Sequence, residues 1–210
     1  MNPETTTTQA GTITLPAAEL RAILAALDEY TSPDKHRPAL QLAQVRPVIV
    51  ERTQSAGVPV IEWQATNSTE LVSITHTCHH ELTDAVRIDP AAILATLPKK
   101  AAGETVLTIT PDAWHLTNAN TTSGGPCEQH PWPTTYGLWQ DQRAALAPHS
   151  IGAPMLARLA KIAKHLGTDQ VNAETMAHTN DQPDPRRPIV YTVTGDNIEA
   201  RILIMPARRH

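Results

Sequence analysis

Short stretches of alternating apolar and polar residues recur along this chain, and three of them run into a proline followed by a helical pattern. They are Thr12-Ile13-Thr14-Leu15-Pro16-Ala17-Ala18, Val86-Arg87-Ile88-Asp89-Pro90-Ala91-Ala92 and Ser150-Ile151-Gly152-Ala153-Pro154-Met155-Leu156. Proline is favoured in the first helical position, because the N–H it lacks is one the helix would leave unpaired. Each triplet therefore reads as a strand, a sharp entry and a helix. After each helix come β-branched or alternating segments parted by turn residues. These are 40–50, 58–65 and 70–76 after the first, 105–110, 113–118 and a weaker Gly-rich stretch at 123–125 after the second, and 170–177, 188–194 and 200–205 after the third. Ser55-Ala56-Gly57, Thr110-Pro111-Asp112 and Gly195-Asp196-Asn197 supply turn chemistry between them. The pattern predicts a βαβββ unit used three times, an α+β fold built on antiparallel sheets.

Composition narrows this reading. The 210 residues hold one large or two small domains, and with no phenylalanine the core must be built from Leu, Ile, Val and Ala. No apolar run is long enough to cross a membrane. Residues 1–11 are polar and Thr-rich with neither a basic nor an apolar signal region, so they read as a disordered tail. The two cysteines make no disulfide framework, and a cytoplasmic protein is expected. The boundaries that follow are a domain at 12–148 made of two modules, 12–83 and 84–148, then a third module at 149–210.

Charge adds a candidate surface. The formal charge of −4 argues against a general nucleic-acid binder, but its distribution is uneven. On the third helix Met155, Leu159, Ile162 and Leu166 form one apolar stripe, while Arg158, Lys161 and His165 form a cationic stripe that Lys164 broadens. Lys99 and Lys100 end the second helix, and Arg21 is the cation of the otherwise acidic first. A solvated cationic face and a phosphate-facing surface both fit, since sequence-blind phosphate contacts need only positive charge on a rigid element.

The C-terminal stretch resembles a known family. Arg186-Arg187-Pro188-Ile189-Val190, then Gly195-Asp196, then Glu199-Ala200-Arg201-Ile202-Leu203-Ile204-Met205-Pro206-Ala207-Arg208, resembles the end of the bacterial sliding clamp, the β subunit of the replicative DNA polymerase. In that family a "KP-apolar" strand precedes a last strand reading apolar-apolar-Met-Pro-x-Arg. Glu62-Trp63-Gln64-Ala65-Thr66-Asn67-Ser68-Thr69-Glu70-Leu71 is similar to the family's "ATDSYRL" strand and turn, with Thr69-Glu70 where the family has an aromatic and an arginine. The second-module helix and strand at 86–98 and 103–106 look like the family's, as does Tyr136-Gly137-Leu138-Trp139 through Arg143 to Leu146-Ala147-Pro148, its "FPDYRRLLP" crossover. The pieces keep the family's order and map onto a middle domain followed by the last half-domain.

The resemblance implies a clamp-like fold, with helices on one face of antiparallel sheets, and a homo-oligomeric ring that encircles double-stranded DNA without reading its sequence. A family ring has about a dozen modules, so three per chain close most simply as a tetramer. DNA-facing residues would be Arg21, Lys99, Lys100, Arg158, Lys161, Lys164 and His165. An apolar pocket taking short linear motifs from the DNA polymerase and the clamp loader would be walled by Thr66, Ser68, Leu71, Leu138, Met205, Pro206 and Arg208. Methionine and proline suit such a pocket, although Ile202, Ile204 and Met205 equally suit a core strand. The competing class is a clamp-like adaptor or decoy that binds replication proteins without encircling DNA.

Enzyme and metal readings have less to stand on. No nucleophile elbow, Walker loop, dinucleotide fingerprint or HExxH occurs, so the expectation is a non-enzyme without cofactor. His76, Cys78, His79, His80, Cys127 and His130 can be drawn as a zinc site, but their spacing is irregular and no metal is expected.

Overall fold

The structure is a computed structural model that describes residues 11–49, 59–100, 102–119, 121–127, 130–133, 153–175, 189–195 and 198–204. The first module comprises β1 (Gly11–Pro16), α1 (Ala17–Asp28), a short 3-10 turn (Pro38–Gln41), β2 (Ala43–Ile49), β3 (Pro59–Thr66) and β4 (Glu70–Thr77), with a two-residue β5 (His79–His80) after it. The second comprises β6 (Val86–Ile88), α2 (Pro90–Thr96), β7 (Glu104–Ile109), β8 (Ala113–Asn118) and β9 (Thr121–Pro126). The third contributes α3 (Ala153–His165), β10 (Asn172–Thr175), β11 (Ile189–Thr194) and β12 (Ile198–Ile204). The strand expected ahead of α3 lies outside the described residues, as do residues 1–10 of the expected tail. Gly11, placed in the tail by the sequence boundary, instead opens β1 and is buried.

The three prolines enter their helices differently. Pro16 ends β1 and caps α1, Pro90 takes the first position of α2 behind an Asp89 carboxylate that accepts from the Ala92 N–H at 3.0 Å, and Pro154 is the second residue of α3. Only the second matches the expected geometry in full. The strand expected from residue 40 starts at Ala43, because Pro38 sets up a 3-10 turn that holds Leu40 and Gln41. Gly167 (φ +71°) stops α3 in the left-handed conformation, with the Thr168 N–H reaching back to the Ala163 carbonyl at 2.9 Å.

Pairing crosses the module boundaries. A five-stranded sheet runs β5-β1-β7-β8-β9 and a seven-stranded one runs β10-β11-β12-β4-β3-β2-β6, with every pairing antiparallel. The first two modules thus exchange opening strands, β1 lying beside β7 and β6 beside β2. The third module joins the first through β12 and β4, in a register that sets Ile202 opposite Val72 and Leu203 opposite Leu71. Alternation on these strands turns Val72 and Ile74, Ile202 and Ile204, and Ile61 and Trp63 toward the helices, where one core links both sheets to α1, α2 and α3. Trp63, Tyr30 and Trp114 join the aliphatic residues there. Among the described residues no helix is long and apolar enough to cross a membrane.

Candidate nucleic-acid and peptide interfaces

α1 packs against both α2 and α3, so the cations of the sequence reading share one helical layer. Leu159, Ile162 and Leu166 bury against the sheet, and Met155 packs at their margin. Arg158, expected in the solvated stripe, instead bonds to the Glu70 carboxylate through its guanidinium; its side chain is 34% exposed and that of Glu70 only 2%. Asn67 also donates to Glu70, at 3.1 Å. Lys161 donates to both carboxylate oxygens of Glu29, at 2.8 and 3.0 Å, and Arg21 donates to the Leu97 carbonyl at 3.0 Å.

Burial lowers the pKa of His165; Glu29 opposes the shift, and Lys161, Lys164 and Arg21 add to it, so at neutral pH the imidazole carries little charge. Lys99, Lys100 and Lys164 are exposed. The second helix stops at Thr96, so Lys99 and Lys100 sit in the turn after Pro98 rather than at the helix end; the helical layer presents them together with Lys164 of the last turn of α3, with the acidic end of α1 packed near the third helix. Asp28 there has a pKa raised by burial, then by Glu29 and Asp89.

The peptide side begins at the turn between β3 and β4. The Asn67 side-chain oxygen accepts from the Thr69 and Glu70 N–H groups at 3.1 and 2.9 Å, and Thr66 Oγ1 donates to the Glu70 carbonyl at 2.7 Å. That bonding holds Ser68 at a φ of +82°, exposed at the tip, where Arg37 reaches its hydroxyl at 3.4 Å. Thr66 and Leu71 face each other across the strands. Leu71, Leu203 and Val190 make a small cluster apart from the main core, on the sheet face away from the helices. Leu71 is thus neither exposed nor part of the central core. Leu138, Met205, Pro206 and Arg208 lie outside the described residues.

Val190 and Leu203 were not singled out in the sequence, yet they carried a signal. Each is apolar at a position out of phase with its strand's helix-facing set, Ile189/Tyr191/Val193 and Ile202/Ile204. The same sheet face holds a buried polar group: the Glu62 carboxylate accepts from Arg46 at 2.6 Å, Gln64 at 2.8 Å and Ser73 at 2.5 Å. Fully bonded, it is a structural network rather than a reactive one.

The zinc candidates are dispersed. His76 bonds to Glu19 at 2.8 Å on the helix side, while burial raises the Cys78 and Cys127 thiols to about 11, with Glu19 and Asp112 adding to the respective shifts. Among the described residues no three His, Cys, Asp or Glu side chains come together as a metal site.

These features, two modules with exchanged strands and a third joined edge to edge, define the fold of the bacterial sliding clamps. Neither a family model nor a curated protein matches the sequence. Among solved structures, the sliding clamp (DNA polymerase III subunit beta) from Bartonella birtlesii, bound to griselimycin, superposes with a TM-score of 0.69 at 13% identity, covering 99% of this chain and 68% of that one. The C. crescentus beta sliding clamp gives 0.72 at 11% identity over 99% and 68%, and the Bacillus subtilis DNA polymerase sliding clamp 0.67 at 14% over 100% and 67%. The chain thus spans about two thirds of the length of these clamps while sharing little of their sequence.

Proposed function

We propose that this chain is a sliding-clamp-like processivity factor, assembling with copies of itself into a ring around duplex DNA in the cytoplasm and tethering replication proteins through a peptide pocket. The observation that carries this reading is the continuous seven-stranded sheet across the β4–β12 junction, with the helices of all three modules on one layer. Repeating such a junction bends a chain of modules into an arc with helices on one side. A ring held by topology needs only weak, numerous and sequence-blind phosphate contacts. Lys99, Lys100 and Lys164 suit that role, whereas Arg158 and Lys161 are committed to Glu70 and Glu29.

On the opposite sheet face the apolar group Leu71, Leu203 and Val190 is the floor of the proposed peptide pocket, with Thr66 and the Ser68 turn beside it. The adaptor reading, in which the chain binds replication proteins without encircling DNA, draws on the pairing of Arg158 and Lys161 with acids. The two diverge in one assay. Replacing Lys99, Lys100 and Lys164 together with alanine is expected to shorten retention on circular DNA and to flatten its salt dependence, by about 0.9 in log–log slope per lost phosphate contact. An unchanged slope would favour the adaptor.

A further inference from the structure

Glu70 occupies a position at which the clamp family carries an arginine, so the charge at the end of the β3–β4 turn is reversed in this chain. The reversal is matched from another module. The guanidinium of Arg158, on α3, donates to Glu70 Oε2, a contact between residues 88 apart in sequence.

That oxygen has a second donor, the Asn67 carboxamide nitrogen at 3.1 Å. A carboxylate only accepts, so it draws the Asn67 NH2 toward itself and leaves the carboxamide oxygen aimed into the turn. There the oxygen accepts from the Thr69 N–H at 3.1 Å, the Thr69 hydroxyl at 2.9 Å and the Glu70 N–H at 2.9 Å. These bonds close the turn around Ser68, the one non-glycine residue with a positive φ among the described residues. Leu71, next in sequence after Glu70, faces the other side of the sheet with Leu203 and Val190. Each step from α3 to the turn has one donor–acceptor sense, from guanidinium to carboxylate to carboxamide to backbone N–H.

We infer that Arg158 is a positioning residue for the β3–β4 turn, and through that turn for the peptide site, acting from the third module on the first by way of Glu70 and Asn67. Helical spacing groups Arg158 with the DNA-facing cations, but its bond commits it to the turn instead. A turn held in this way is complete only when α3 is docked, so the rim of the peptide site and the β4–β12 junction form together. The consequence for peptide binding rests on the clamp reading; the effect on the turn does not.

Amide hydrogen exchange on the purified full chain, followed by NMR, tests this at the Thr69 and Glu70 N–H groups, with the amides of β7 and β8 as the reference for global opening. Arg158→Met is expected to speed exchange at both turn amides about tenfold more than at the reference, the effect of weakening one hydrogen bond to a charged group. Arg158→Lys, which keeps a donor for Glu70, is expected to retain most of the protection. The double variant Arg158→Met with Glu70→Leu separates positioning from stability, since it strands no charge yet deprives the Asn67 amide of its carboxylate. Stability that recovers while the turn amides stay fast is the expected result. Protection that returns together with stability reduces the pair to a structural contact and overturns the inference. Anisotropy of a fluorescein-labelled peptide of three leucines, matched to the apolar floor, reads the consequence: binding about tenfold weaker in Arg158→Met and in the double variant, and near wild type in Arg158→Lys. Turn amides that respond as expected in a protein that binds no such peptide uphold the positioning of the turn and overturn the pocket reading.

Discussion

Arg158→Ala is expected to lower the unfolding free energy by about 2–3 kcal/mol, measured by urea denaturation at pH 7. The Glu70 carboxylate it pairs with is almost fully buried on the helix side of β4, and after the substitution only the Asn67 amide still donates to it among the described residues. Removing one partner of a wholly buried pair costs about 3–5 kcal/mol; the lower figure here reflects the third of the arginine side chain that solvent reaches. Tyr30, buried beside this pair, has a pKa driven well up by burial and further by Glu70, so its neutral hydroxyl supplies no replacement charge. The double variant Arg158→Met with Glu70→Leu is expected to regain most of the loss, since no charge is then stranded. A double variant as unstable as the sum of its singles would show that the two residues act apart. Any change in DNA retention caused by Arg158→Ala must be read beside this loss of stability.

Trp63→Ala is expected to cost about 3–5 kcal/mol, a large part of a typical domain's stability. Trp63 is fully buried on the helix side of β3, set between Val45 and Ile74 on the neighbouring strands. Its loss opens a cavity that flanking strands, held in a seven-stranded ladder, cannot close. Trp63→Phe is expected to cost less than about 1.5 kcal/mol, because the indole N–H has no hydrogen-bond partner to lose among the described residues. Equal losses in the two variants would mean that the indole shape, rather than buried volume, is what the site requires.

The elements were largely legible in the sequence because they rest on local rules. The run 113–118 reads as a strand from its alternation and its Thr-Pro-Asp turn, and it is β8 residue for residue. Long-range pairing was not legible in that way. Alternation says that Leu71 and Val72 point to opposite faces, but nothing local says that β12 lies beside β4. The cationic stripe shows the same limit. Helical spacing puts Arg158, Lys161 and His165 together, yet Glu70 and Glu29, which pair with Arg158 and Lys161, come from 88 and 132 residues away. The exchange of opening strands between modules was hidden for the same reason, since a proline-headed repeat marks where a strand ends and not whose sheet it joins.

Topological linkage to DNA tests the central claim most directly. The protein is loaded onto a nicked circular plasmid and onto the same plasmid after linearisation, and the fraction retained through gel filtration is measured at rising salt. A ring that encircles duplex is retained on the circle at salt concentrations that dissolve phosphate contacts and slides off the linear form. Equal loss from both DNA forms as salt rises would contradict encirclement.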